Sequence, residues 1–211
     1  MKKLVVRILI VIASAVAVNA KTNIVTENSV TNVETIIAIR HGEKPRGGLG
    51  QLTVKGLNRA LALPDVLIGK YGTPQFIFAP NPTEKVDGNK YYYVRPLTTI
   101  EPTAIRCGLP VNTEFGFTQI KELEAELEKP EYHNATVFIA WEHGLLDEFG
   151  KNMVEDSGGD VHDVPDWKGS EYDMIFVFKI TRANGQQKFS FAVEHEGLNG
   201  VSDEYPTPVK K

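Results

Sequence analysis

Two apolar runs in the chain end in the same way, and that ending limits the folds open to it. Thr35-Ile36-Ile37-Ala38-Ile39 stops at Arg40-His41, and Thr136-Val137-Phe138-Ile139-Ala140-Trp141 stops at Glu142-His143. A short, continuous apolar run is the pattern of a strand buried on both faces, as in a parallel sheet covered by helices. A third run, QFIFA at 75–79, lies between Pro74 and Pro80 and reads as another strand. The segments between them have helical spacing. Leu52-Thr53 opens a stretch with Leu57, Ala60 and Leu61 on one face, and Pro64 divides it from Val66, Leu67 and Ile68, which predicts two joined helical pieces. Residues 95–107 read as a helix with Pro96 in its first turn and Leu97, Ile100, Ala104 and Ile105 on one face. Residues 118–127 form an amphipathic surface helix, 145–154 a further helix, and 112–115 a short strand. Near the end, Met174 to Ile180 and Lys188 to Val193 are strand-like around Asn184-Gly185, a dipeptide suited to a tight hairpin. This order predicts an α/β protein: a three-layer α/β/α sandwich with a mostly parallel sheet and a C-terminal antiparallel hairpin.

The 211 residues suffice for one compact domain, placed at 34–211, with an irregular lead-in at 21–33. Residues 1–20 read differently. Lys2, Lys3 and Arg7 precede the apolar stretch Ile8 to Val18, and Val18-Asn19-Ala20 offers small or aliphatic residues at the positions a signal peptidase inspects. The stretch is far shorter than the roughly 20 residues that span a bilayer as a helix. The expectation is a signal peptide cleaved after Ala20, a secreted or periplasmic location, and no stable membrane anchor after cleavage. Cleavage removes three of the 23 basic residues and none of the 27 acidic ones, so the net charge moves from −4 to −7. Such a balance disfavours nucleic acid as a partner, which calls for a basic face. The single cysteine, Cys107, excludes an intramolecular disulfide and a cysteine-based metal site.

Ligands of open α/β sheets bind beyond the carboxyl ends of the strands, where Arg40, His41 and His143 fall. These residues also carry a resemblance. The string IIAIRHGEKP at 36–45 resembles the Arg-His-Gly signature of the histidine phosphatase superfamily, which includes phosphoglycerate mutases and acid phosphatases. QLTVKGLNRALALPDVL at 51–67 is similar to the family's following segment. Arg95 with TTIEPTA at 98–104 is similar to its second arginine on a helix, and Trp141-Glu142-His143-Gly144 stands where it carries a second histidine. The resemblance covers about residues 34–180 in one consistent order, and implies a phosphoglycerate mutase-like fold and a phosphohistidine mechanism without cofactor or metal. In that mechanism His41 is the nucleophile, and Arg40, His41, Arg95 and His143 form the phosphate pocket for a phosphomonoester or inorganic phosphate. Arg presents a planar fork suited to phosphate, and nearby cations hold a histidine neutral for attack on phosphorus.

An alkoxide leaving group needs a proton, and a carboxylate usually supplies it in this superfamily. Glu142 is the first candidate, beside His143 at the strand end, and Glu43 the second. Glu101 and Asp147 read as surface charges, His133 and His195 as exposed, and His162 as part of an Asp-rich loop. Tyr91, Tyr92 and Tyr93 form either a substrate wall or a packed aromatic strand. Loops 81–94 and 155–168 are expected to roof the pocket, and NPTEKVDGNKYYYV at 81–94 resembles no mutase substrate loop. The first reading is an exported phosphatase. The alternatives are a noncatalytic phosphate- or phospholigand-binding domain, which kept the pocket and lost the acid, and a phosphomutase, which export disfavours.

Overall fold

A computed structural model describes residues 31–207. The signal peptide expected at 1–20, its cleavage site, and residues 21–30 of the lead-in lie outside the described residues. The elements, in order, are β1 (Asn32–Arg40), α1 (Val54–Tyr71), β2 (Phe76–Phe78), β3 (Lys85–Val86), β4 (Tyr91–Tyr92), α2 (Arg95–Cys107), α3 (Ile120–Leu127), β5 (Thr136–Trp141), α4 (His143–Asp156), β6 (Met174–Ala183) and β7 (Gln186–His195). The main sheet has the order β2-β5-β1-β6-β7. β2 and β1 run parallel to β5, while β6 is antiparallel to β1 and β7 to β6, so four of the five strands point the same way. The chain has the expected mixed α/β sandwich.

Alternation along the central strand explains its continuous apolar run. Ile36 and Ala38 pack into one layer with Val137, Ile139, Phe176 and Phe178, under Leu123 and Leu127 of α3 and Leu146 and Phe149 of α4. Ile37 and Ile39 face the other way with Phe138 and Ala140, under Leu63 and Leu67 of α1 and Ile100 and Ala104 of α2. Successive strand side chains point to opposite faces, and here both faces are covered.

Three expectations need correction. The lead-in stops at residue 31, because Asn32 and Val33 already pair with Arg182 and Thr181 of the long hairpin strand β6. Pro64 does not divide α1, which runs unbroken from its cap at Thr53, whose side chain accepts the Gly56 N–H at 3.1 Å. A proline there costs the Ala60 carbonyl its helical partner. Burial of Leu63, Pro64 and Leu67 offsets that cost, at roughly 25 cal/mol per Å² of apolar surface. Residues 112–115 contribute one isolated bridge, Asn112 to Phe78, rather than a strand. The hairpin itself turns at Asn184 and Gly185, both at positive φ (53° and 73°), the geometry that makes Asn-Gly favourable between twisted antiparallel strands.

Candidate active site

β1 and β5 are adjacent and parallel, with Arg40 opposite Trp141, and the His41 N–H donates to the Trp141 carbonyl at 3.0 Å. The two charged endings of the sequence therefore lie side by side at one edge of the sheet. After His41 the backbone turns sharply under α1. The Gly42 N–H donates to Thr99 Oγ1 at 2.9 Å, and the Thr99 hydroxyl donates in turn to the Arg95 carbonyl at 2.8 Å, tying the turn to α2. Glycine is required where α1 presses on this turn: a Cβ on Gly56 would sit 2.6 Å from the Glu43 carbonyl oxygen, and one on Gly42 would sit 2.9 Å from that of Gly56.

His41 is 1% exposed. Its Nδ1 lies 2.7 Å from the Gly42 carbonyl, which can only accept, so Nδ1 carries the proton and Nε2 keeps its lone pair. Burial, reinforced by the charges of Arg40 and Arg95 and opposed by the Gly42 bond, lowers the His41 pKa to about 3. The ring is neutral at any ordinary working pH.

Two buried guanidiniums flank it. Arg40 spends Nη1 on the Gly169 and Glu171 carbonyls at 2.9 and 2.6 Å, and its charge lies 3.8 Å from the centre of the Tyr172 ring. Its Nε and Nη2 have no hydrogen-bond partner among the described residues. Arg95 starts α2, donates from Nη1 to the Gly48 carbonyl at 3.1 Å, and lies 3.3 Å from Asp87; its Nε is likewise without a partner among the described residues. Buried donors left unmade are costly, so this cluster is built for an acceptor-rich anion.

His143 opens α4 and Glu142 caps it. One Glu142 oxygen accepts the Leu145 N–H at 3.0 Å and the other contacts His143 Nδ1. His143 Nε2 faces Gly169, where an added Cβ would be 3.6 Å away, next to the carbonyl that Arg40 holds. Although burial pushes the Glu142 carboxyl up, His143 and the N–H groups of Leu145 and Gly144 bring it down to about 2. Glu142 is therefore an ionised cap that orients His143. An ionised carboxylate must first take up a proton before it can give one to a leaving group. Glu43 is paired instead with α1: both its oxygens accept from Arg59, at 2.9 and 3.1 Å.

A surface cleft of about 560 Å³, lined by Lys44, Pro45, Arg46, Gly47, Gly48, Asp87 and Tyr172, adjoins the buried cluster. Of the expected roof, Asp87 belongs to loop 81–94. The second part comes from residues 168–172, at the end of loop 155–168 and just beyond it, where Arg40 meets the carbonyls of Lys168, Gly169 and Glu171. Tyr172 escaped the sequence reading, because it adjoins no motif and only the fold brings it to the site; Arg59 and Thr99 lie inside the quoted segments 51–67 and 98–104, but nothing local gave them a role. Tyr91 and Tyr92 form an exposed two-stranded ribbon with β3, while Tyr93 turns inward beside His41, ring centres 6.0 Å apart. Asp147 pairs with Lys151 at 2.7 Å, and Asp160 with the exposed His162 at 2.7 Å.

The fold around this edge is that of the histidine phosphatase superfamily, in its phosphoglycerate mutase-like form. A structure assigned as the phosphohistidine phosphatase SixA of Nakamurella multipartitia superposes with a TM-score of 0.53 at 16% identity, covering 77% of this chain and 96% of that one. A phosphoglycerate mutase of Plasmodium falciparum gives 0.51 at 11% identity, over 85% and 97%. A mycobacterial glucosyl-3-phosphoglycerate phosphatase in complex with inorganic phosphate gives 0.50 at 16%, over 72% and 95%. No protein-family model and no curated protein sequence matches the chain.

Proposed function

We propose that this protein is an exported phosphatase that hydrolyses a phosphomonoester through a phosphohistidine at His41. The observation that carries the reading is a buried, neutral His41 with Nε2 unprotonated, flanked by two guanidiniums that present donors without partners among the described residues. In the first step the Nε2 lone pair attacks phosphorus in line and the bond to the ester oxygen breaks, with the alcohol leaving as it gains a proton. Water then attacks phosphorus, the P–N bond breaks, inorganic phosphate leaves and Nε2 recovers its lone pair. Arg40, Arg95 and His143 stabilise the charge spread over the phosphoryl oxygens during both steps. Export, with cleavage after Ala20, is part of the proposal and rests on residues 1–20.

With Glu142 ionised and Glu43 held by Arg59, neither carboxylate supplies the leaving-group proton, so solvent does. Aryl phosphates, whose leaving group needs little protonation, should therefore be hydrolysed much faster than alkyl phosphates. The same observation favours a second reading, a phosphate- or phospholigand-binding domain that does not turn over. Incubating the purified protein and His41→Ala with a generic aryl phosphate separates the two. The phosphatase reading expects phosphate release by the first and a loss of at least about 10³-fold in the second, as for removal of a nucleophile. Equal rates would sink the covalent mechanism, and tight phosphate binding without turnover would establish the binding domain.

A further inference from the structure

Resting on that reading, we propose that Tyr93 is a further catalytic residue, whose hydroxyl donates a hydrogen bond to the transferring phosphoryl group. The ring is fixed on all sides. Its backbone N–H donates to the Glu84 carbonyl at 2.8 Å, closing the β3–β4 ribbon. The Arg95 guanidinium carbon lies 4.8 Å from its ring centre, Phe117 meets it edge-on at 5.2 Å, and His41 stands perpendicular to it at 6.0 Å. Tyr93 is 1% exposed, and although Arg95 lies against its hydroxyl oxygen, the hydroxyl proton has no acceptor among the described residues.

The surroundings define what is missing. The charged groups acting on this hydroxyl are Arg95, Arg40 and Glu142. The two arginines can only donate, so neither can take the tyrosine proton. Glu142 is the one charged acceptor among them; its oxygens contact the Leu145 N–H and His143, and neither accepts from the Tyr93 hydroxyl. A buried phenol facing donors needs an acceptor from outside, and a phosphoryl group in the same pocket brings three. Burial raises the phenol above its ordinary pKa, against the pull of Arg95, so it stays a neutral donor throughout the working range. Tyr93 thereby supplements the cationic donors without adding charge that would have to be desolvated in the free protein.

Tyr93→Phe removes one oxygen and keeps the ring that walls His41, so a changed melting temperature is not expected. With an aryl phosphate, kcat should fall about 10- to 100-fold with KM little changed, the signature of a donor that acts mainly in the transition state. Inhibition by vanadate, which mimics the five-coordinate phosphorus, should weaken by a similar factor, and inhibition by inorganic phosphate by less. Unchanged kcat and vanadate inhibition in a folded Tyr93→Phe protein, beside an active parent, overturn the assignment. If the parent binds phosphate without turnover, the phosphatase reading fails on its own. Phosphate affinity then decides for Tyr93: a loss in Tyr93→Phe retains the donor, and no loss removes it. Should the variant misfold, tyrosine labelled at Cζ gives the answer in the parent protein. The Tyr93 resonance shifts on addition of vanadate if the hydroxyl meets the anion, and a resonance that stays in place refutes the contact.

Discussion

Arg40 and Arg59 are both buried completely, and their surroundings are opposite. Arg59 has every nitrogen employed: Nε and Nη2 on Glu43, Nη2 also on Asn199 at 3.2 Å, and Nη1 on Glu196 and, at 3.4 Å, Asp173. It joins the turn after His41 to the start of β6 and the segment beyond β7, which makes it a clamp that sets where the loop after His41 sits. Arg40 gives one nitrogen to backbone carbonyls and leaves the other two without partners among the described residues. A saturated buried arginine holds the fold, whereas a half-satisfied one holds a place for an anion, and burial alone distinguishes neither.

The largest effect that can break this contrast is on stability. Arg59→Met should cost about 3–5 kcal/mol in denaturant unfolding, because it leaves Glu43 and Asp173 without their cation and the buried Glu196 without its donor. A loss below about 1 kcal/mol would end the clamp account. Arg40→Met, which keeps most of the buried volume, should cost far less stability than Arg59→Met while turnover of an aryl phosphate drops about 10²- to 10³-fold, as for other transition-state donors. A protein that unfolds instead would make Arg40 a second clamp. Smaller again is Glu142→Gln, in which the amide still accepts the Leu145 N–H but loses the charge on His143. Rates should fall about 10-fold on aryl and alkyl phosphates alike, the scale expected when a partner that orients a functional histidine is altered. A loss confined to the alkyl ester would restore Glu142 as the acid.

The smallest effect is in pH. Burial raises the Glu196 carboxyl, against the charge of Arg59 and helped by Asp173 and Glu43, to about 8. The folded chain then keeps a proton that the unfolded chain releases near its ordinary value of 4.5. The stabilisation from Glu196 is whole below pH 4.5 and is lost as pH rises toward 8. Glu196→Gln should flatten the fall in melting temperature across that window, and an unchanged slope would show that Glu196 carries no such proton.

What the sequence disclosed and what it hid divide along the same line. Burial on both faces writes itself into consecutive residues, so β1 and β5 were legible, as was the hairpin, where Asn184-Gly185 suits a turn of positive φ. Local signals failed where packing outvoted them: Pro64 stays inside a helix that the sheet supports. Arg40, His41 and His143 stand out in the sequence because they follow apolar runs, and Arg95 stands out only through the family resemblance. The roles of the carboxylates were not legible. Glu43 and Glu142 each lie within two residues of a pocket histidine, and their assignments come from Arg59, sixteen residues further on, and from a helix cap. Tyr172 and the carbonyls of 169 and 171 reach Arg40 from about 130 residues away, a contact that only the register of β1, β5 and β6 creates.

The central claim is that His41 carries the phosphoryl group. Mixing the protein with an aryl phosphate, quenching in alkali to preserve a phosphorus–nitrogen bond, and mapping the peptides by mass spectrometry tests it directly. The account predicts one phosphoryl group on the peptide containing His41, absent from His41→Ala and lost on acid treatment. An active protein whose His41 peptide never gains that mass, or gains it on another residue, would contradict it.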